Sequence, residues 1–188
     1  MKRITIFFII IITLSSCVSK SNFTVKPQRE SLGLKNLIKL DGAYIGLVDS
    51  VDDKKIYWAF YFYNNSIALL YGSVVKEFEN RTSLEKLKDS ILYDINFANN
   101  NYRGKEAGGF KITDNKIEIQ ILSHIRYGGY KNTTFHGEIL NDTIIYISSC
   151  KMKKGYSNCR SNFYLKFTNL PKPDSTNQWM KKKWYWKN

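Results

Sequence analysis

The sequence predicts an all-β domain, an eight-stranded antiparallel meander closed into a barrel, with one inserted α-helix. Three observations predict it: apolar and aromatic runs separated by turn residues, a hairpin with strict apolar and polar alternation, and a single segment of helical period. The chain of 188 residues carries 13 Tyr, 11 Phe and 4 Trp, more rings than a disordered chain contains. A β-sandwich is the alternative architecture.

The first three predicted strands cover residues 40–48, 56–63 and 66–71. The second is an unbroken aromatic-rich run, and Asn64 and Asn65 separate it from the third. Asparagine tolerates positive φ, so these two residues predict a type I′ hairpin turn.

A helix is predicted over residues 83–96. Thr82 and Glu85 match a capping box, in which each side chain accepts a hydrogen bond from a backbone N–H of the first turn. Apolar residues then recur at helical spacing, which predicts one face packed on the core. They are Leu84, Leu87, Ile91 and Ile95.

The remaining strands follow in pairs. Apolar and polar residues alternate in 110–113 and 117–121, with a turn at Asp114 and Asn115 between them. Residues 130–140 and 143–149 form a second predicted hairpin, with its turn at Asn141 and Asp142. Residues 163–168 supply the eighth strand. A meander of this number removes its exposed edges by closing into a barrel. We interpret the glycine pairs 108–109 and 128–129 as turns.

The first seventeen residues have the pattern of an export signal. Lys2 and Arg3 precede an apolar run over residues 4–12, which is too short to span a bilayer. Leu14-Ser15-Ser16-Cys17 resembles the lipobox of bacterial lipoproteins, which implies cleavage before Cys17 and acylation of that residue. We therefore divide the chain into a signal peptide (1–16), a lipid anchor and flexible tether (17–36), a barrel (37–170) and a basic aromatic C-terminal tail (171–188).

Strand number, the lipobox and the Gly42 and Tyr44 pair at the first strand together resemble the lipocalin-like small lipoproteins of Gram-negative bacteria. The resemblance implies an outer-membrane location. Val18 follows Cys17 where an aspartate would retain a lipoprotein at the inner membrane, which by the same resemblance favours the outer membrane. No acidic run of the kind associated with surface display in some groups follows Cys17, so we favour the periplasmic face. The cell surface is the alternative location.

Positive charge is concentrated at the C-terminus, where residues 151–188 contain ten basic residues and one acidic residue. Such a surface attracts anionic lipid, lipopolysaccharide phosphates or an acidic envelope protein. Nucleic acid has the same electrostatic signature, but an exported protein rarely meets it, so we expect no nucleic-acid partner. The alternative is that the rings pack on the barrel wall while the lysines are solvated. The candidate contact residues are Trp179, Lys181, Lys182, Lys183, Trp184 and Trp186.

Cys150 and Cys159 remain as an even pair if Cys17 is acylated. In an exported protein this pairing predicts a disulfide closing a short loop, with two unpaired thiols as the alternative.

The sequence contains no pattern that indicates catalysis. His124 and His136 are the only imidazoles, neither has a metal-ligand spacing, and there is no Gly-x-Ser-x-Gly elbow. We therefore expect no enzyme activity, no metal and no cofactor. The sequence predicts a lipid-anchored, non-catalytic envelope protein that binds a hydrophobic or amphiphilic ligand or an anionic envelope component. The alternative is an interaction subunit or inhibitor that docks on an acidic partner.

Overall fold

The protein folds into a closed eight-stranded antiparallel barrel with one inserted helix. The computed structural model describes residues 23–29, 37–51, 54–72, 83–97, 105–124, 130–152, 161–177 and 179–187. Each strand pairs with the next along the chain. The elements are β1 (Ala43–Val51), β2 (Lys54–Phe62), β3 (Ile67–Gly72), α1 (Ser83–Phe97), β4 (Lys105–Thr113), β5 (Lys116–His124), β6 (Tyr130–Asn141), β7 (Ile144–Met152) and β8 (Phe163–Thr168).

Pairing between the first and last strands closes the barrel, so the sandwich alternative is wrong. Ala43 lies opposite Thr168, and Ile45 lies opposite Lys166. At Gly42 an added Cβ would lie 2.5 Å from the carbonyl oxygen of Thr168, so this glycine permits the close approach of the chain at the seam. The Tyr44 hydroxyl donates to the carbonyl of Asp142 at 2.5 Å and ties the same end of β1 to the β6–β7 turn.

The predicted helix is confirmed as α1, which packs against the outer wall of the barrel at β2 and β3. Leu87 and Ile91 are buried, and Leu84 and Ile95 pack beside them. The capping residue Thr82 lies outside the described residues. Within the parts of the chain that the structure describes, no helix has the length and apolarity needed to cross a membrane.

Two apolar layers result from the two faces of the sheet. The inner layer fills the barrel, and the outer layer covers the wall formed by β1 to β5. Residues of β2 and β3 contribute to both layers, which explains why these strands are continuous apolar runs. β5 instead alternates between Ile119 in the inner layer and polar residues such as Glu118 outside.

The turn between β2 and β3 differs from the prediction. The residue with positive φ is Ser66, at 61°, whereas neither Asn64 nor Asn65 has a positive φ. The Ser66 N–H donates to the carbonyl of Tyr63 at 2.9 Å. The type I′ prediction is therefore wrong, because the left-handed residue comes after the asparagine pair, as in hairpin loops longer than two residues.

Candidate functional site: a basic cover on the barrel wall

The barrel interior is filled by side chains. Tyr44, Phe60, Phe62, Phe110 and Phe135 are all almost completely buried there. The rings contact one another, with centroids 4.9 Å apart for Phe62 and Phe110 and 5.5 Å apart for Phe60 and Phe135. An eight-stranded barrel has room either for its own side chains or for one small ligand, and the ring contacts show that side chains take up the described interior. The described interior therefore favours binding at the outer surface over a ligand held inside.

One end of the barrel is held by residues 171–173, which follow β8. The Tyr61 hydroxyl donates to the carbonyl of Pro171 at 3.1 Å, and the Tyr63 hydroxyl donates to that of Pro173. Between them, the Lys172 ammonium donates to the carbonyls of Leu40 and Phe62 and lies 4.0 Å from the centroid of the Tyr63 ring. Burial lowers the pKa of Lys172 to about 8. This segment is thus part of the folded domain.

The C-terminal segment packs its rings against the outer wall of the barrel. Trp179, Tyr185 and Trp186 are buried in the outer layer. A single 3₁₀ turn over Lys183–Tyr185 directs the Tyr185 hydroxyl to the Gly108 carbonyl, to which it donates at 2.8 Å. Burial raises the pKa of Tyr185. The wall therefore anchors the segment by both ring burial and a hydrogen bond.

Residues 23–29 lie beside the C-terminal segment, which corrects the prediction that residues 17–36 are a flexible tether throughout. The Phe23 ring stacks on that of Tyr185, with centroids 5.5 Å apart and planes within 2°. The Lys187 N–H donates to the carbonyl of Pro27 at 2.8 Å, and the Arg29 guanidinium lies 5.3 Å from the centroid of the Trp186 ring. Residues 23–29 pack there because the outer wall offers an apolar surface that this segment buries.

Two features of the wall hold residues 23–29 in place. The side-chain oxygen of the buried Gln120 accepts from the backbone N–H groups of Thr24 and Val25 at 2.7 and 3.0 Å. At Gly109 an added Cβ would lie 2.1 Å from the Val25 carbonyl oxygen. The pair Gly108 and Gly109 lies inside β4, so its interpretation as a turn is wrong. Gly128 and Gly129 lie outside the described residues.

Together, residues 23–29 and 179–187 form a surface that we call the basic cover. These two segments contain six basic residues and no acidic residue. Five of the six are exposed and Lys26 is half-buried, so their charges point to solvent above the buried ring layer. The six are Lys26, Arg29, Lys181, Lys182, Lys183 and Lys187.

The predicted contact residues of the C-terminal segment separate into two groups. Lys181, Lys182 and Lys183 are exposed, whereas Trp179 and Trp186 have only 2% and 7% of their surfaces exposed. The prediction that these two rings contact a ligand is therefore wrong in this fold, because they are covered by the outer layer. Trp184 is half-buried and packs edge-on against Phe23, with centroids 6.1 Å apart.

The histidines do not form a common site. His136 lies opposite Glu118 in the β5–β6 ladder, whereas the backbone of His124 is six residues farther along β5. At about 3.4 Å per residue, that separation is about 20 Å. The Ser148 hydroxyl donates to the backbone carbonyl of His136 at 3.2 Å. Among the described residues, no group of three His, Cys, Asp or Glu side chains is arranged to hold a metal ion.

The cysteine predictions rest on residues that the structure describes only in part. Cys150 lies in β7 and packs against the inner layer. Cys17 and Cys159 lie outside the described residues, so lipidation and the disulfide stay predictions.

Comparisons with known proteins identify no relative. No family model, no curated protein and no solved structure matches this chain.

Proposed function

We propose that this protein is a lipid-anchored, non-catalytic protein of the bacterial cell envelope, which holds its basic cover against an anionic membrane surface. The observation that supports this proposal most directly is the packing of residues 23–29 onto residues 179–187. It brings the basic C-terminal segment next to the chain that leads to the predicted anchor.

The distance to the anchor limits where the basic cover can lie. Phe23 is six residues after Cys17, and a fully extended chain spans at most about 3.6 Å per residue. Because Phe23 is fixed against Tyr185, an acyl chain on Cys17 would keep the edge of the basic cover at Phe23 within about 20 Å of the membrane. That upper limit is two to three times the screening length of about 8 Å at physiological ionic strength.

The positive charge of the basic cover is complementary to an anionic membrane surface. Each lysine or arginine near an anionic bilayer contributes about 1 kcal/mol of binding free energy. By the lipobox resemblance, both the thiol and the amino group of Cys17 would carry acyl chains, which attach a protein stably to a membrane. The basic cover would therefore act mainly on how the attached domain is oriented.

The filled barrel supports this surface function over transport of a hydrophobic ligand. The barrel fold agrees with the resemblance to lipocalin-like lipoproteins, while the ring-filled interior leaves the outer surface as the place for contacts. The proposed location is the periplasmic face of the outer membrane, where the neighbouring leaflet supplies lipid headgroups.

Binding of residues 18–188 to vesicles tests the proposal. Vesicles that contain phosphatidylglycerol should bind the protein, vesicles of phosphatidylcholine alone should not, and added salt should weaken binding. Replacing Lys181, Lys182 and Lys183 together with Gln should reduce binding about tenfold or more.

A matched control removes the same charge elsewhere. Lys55, Lys151 and Lys166 are exposed on barrel strands, so their joint replacement with Gln lowers the net charge equally without touching the basic cover. This control should bind as the unmodified chain does. Equal loss in both triple variants, or no loss in either, would contradict the proposal, and binding only to an acidic protein would favour the docking alternative.

A further inference from the structure

A shallow groove lies on the barrel wall outside the basic cover. It has a volume of about 370 Å³ and runs across the outer faces of β4 to β7. Gly137 forms part of its floor, where an added Cβ would lie 2.3 Å from the carbonyl oxygen of Tyr146. Ser148 is an extra residue in β7, because His136 pairs with Ser149 and Gly137 with Ile147. This bulge, of a kind that re-aims side chains beside functional sites, places the Ser148 hydroxyl at the groove.

The groove is polar and its charges balance. Lys111 forms an ion pair with Glu118 at 2.7 Å, and Lys116 lies opposite Glu138 in the β5–β6 ladder. Two ammonium groups and two carboxylates give no net charge, in contrast to the basic cover. Such a surface offers hydrogen-bond donors and acceptors without attracting an ion of either sign.

An aromatic platform adjoins the groove. Tyr146 lies opposite Glu138 on one side and opposite Tyr164 on the other, and the two tyrosine rings are 5.0 Å apart with planes at 37°. The Tyr146 hydroxyl donates to the side-chain oxygen of Asn162 at 2.9 Å, which fixes its ring. Tyr164 has 54% of its surface exposed, so its ring is available to a ligand.

The geometry points to a binding site for a neutral oligosaccharide built of pyranose rings. A pyranose presents an apolar C–H face, which packs on aromatic rings, and a rim of hydroxyl groups that both donate and accept. The tyrosine rings of the aromatic platform can pack on the C–H face of the sugar. The donors and acceptors of the charge-balanced groove can bind its hydroxyl groups. The core of a protein interface is depleted in charged residues, so four charged side chains in the groove favour a glycan over a second copy of the chain.

Calorimetric titration of the exported, processed protein in a sugar-free detergent tests this site. The probes are chitotetraose and cellotetraose, at least one of which should bind at millimolar concentration or below. Tyr164→Ala should weaken that binding about tenfold, and Glu138→Gln should also weaken it. The matched control is Tyr93→Ala on α1, a tyrosine with 66% of its surface exposed that lies away from the groove. This control should leave binding unchanged.

Two further readouts separate this site from the basic cover and from self-association. Binding of a neutral sugar should change little with salt, whereas vesicle binding should weaken. Absence of binding by both probes, or unchanged binding by Tyr164→Ala, would overturn the proposal. Sedimentation that reveals a dimer, lost in Tyr164→Ala, would overturn it by assigning the same face to a second copy.

Discussion

The ring of Phe23 lies parallel to that of Tyr185, with their centroids 5.5 Å apart. This contact joins the beginning of the described chain to its end, 162 residues later in the sequence. Because the Tyr185 hydroxyl donates a hydrogen bond to the Gly108 carbonyl of β4, both segments are fixed to one wall of the barrel. The positions of the predicted anchor and of the basic cover are therefore linked by the fold.

Gln120→Ala should release residues 23–29 from the wall. The backbone N–H groups of Thr24 and Val25 lose their shared acceptor, and an unsatisfied buried donor costs about 1–3 kcal/mol. We expect a lower free energy of unfolding in urea and faster hydrogen exchange at Val25. Thr134→Val is the control, because it removes a partner of the Gln120 amide nitrogen and leaves the side-chain oxygen in place. Unchanged exchange at Val25 in Gln120→Ala would contradict the assigned role.

Lys172 should make the folded state more stable as pH rises from about 8 to about 10. Burial lowers its pKa to about 8 in the fold from 10.5, so the unfolded chain binds more protons within this window. The negative charge of Asp41 opposes this fall in the pKa of Lys172 without cancelling it. Lys172→Met should remove this rise in the free energy of unfolding, measured in urea at several pH values. A rise of the same size in the variant would assign it to another group.

Above pH 10 the sign should reverse. Burial raises the pKa values of Tyr44, Tyr61, Tyr63 and Tyr185, whereas tyrosines in the unfolded chain ionise near pH 10. Stability from these four residues is complete below that pH and is lost as pH rises further. Absorbance at the phenolate band should show part of the tyrosines ionising only together with unfolding. Complete ionisation while the circular dichroism stays native would refute this.

Cys150 and Cys159 should form a disulfide in the exported protein. Closing this short loop would stabilise the fold by about 2–3 kcal/mol on chain-entropy grounds. Intact mass after alkylation should increase at these residues only when the protein is first reduced. Alkylation of both thiols in the unreduced native protein would show that the bond is absent.

The sequence predicts those parts of the fold that have a local signal, and it does not predict what packs on the outer faces of β2 and β3. Alternation in β4 and β5 predicts their hairpin, and the capping box predicts α1, because both signals are local. Unbroken apolar runs at β2 and β3 also indicate that something covers the outer wall. They do not identify what covers it, because that depends on contacts between distant segments.

The candidate site also has some features that local sequence predicts and others that depend on contacts between distant segments. The lysines of residues 181–183 are recognised from their local run, and they are exposed. The role of Phe23 depends on Tyr185, and that of Gly109 depends on Val25, both far away in the sequence. Short local patterns carry no information about such pairs, so residues 23–29 resemble a spacer and Gly108 and Gly109 resemble a turn. The groove of β4 to β7 likewise exists only once four strands are in register.

Lipidation at Cys17 is the premise that connects the fold to a membrane. Cys17→Ala should accumulate uncut precursor without acyl label, because the lipobox lacks its acceptor thiol. Metabolic labelling with a fatty acid, followed by mass measurement, checks this. Normal processing and labelling of the variant would show that Cys17 is not the lipidation site.

The basic cover should face the bilayer when the protein is anchored. Paramagnetic relaxation by gadolinium-headgroup lipids, measured on the lipidated protein in nanodiscs containing phosphatidylglycerol, tests it most directly. We expect stronger attenuation of the amide signals of Lys181, Lys182 and Lys183 than of Tyr164, which lies on β8 away from the basic cover. Equal attenuation at the two places, or stronger attenuation at Tyr164, would show that the basic cover does not face the bilayer.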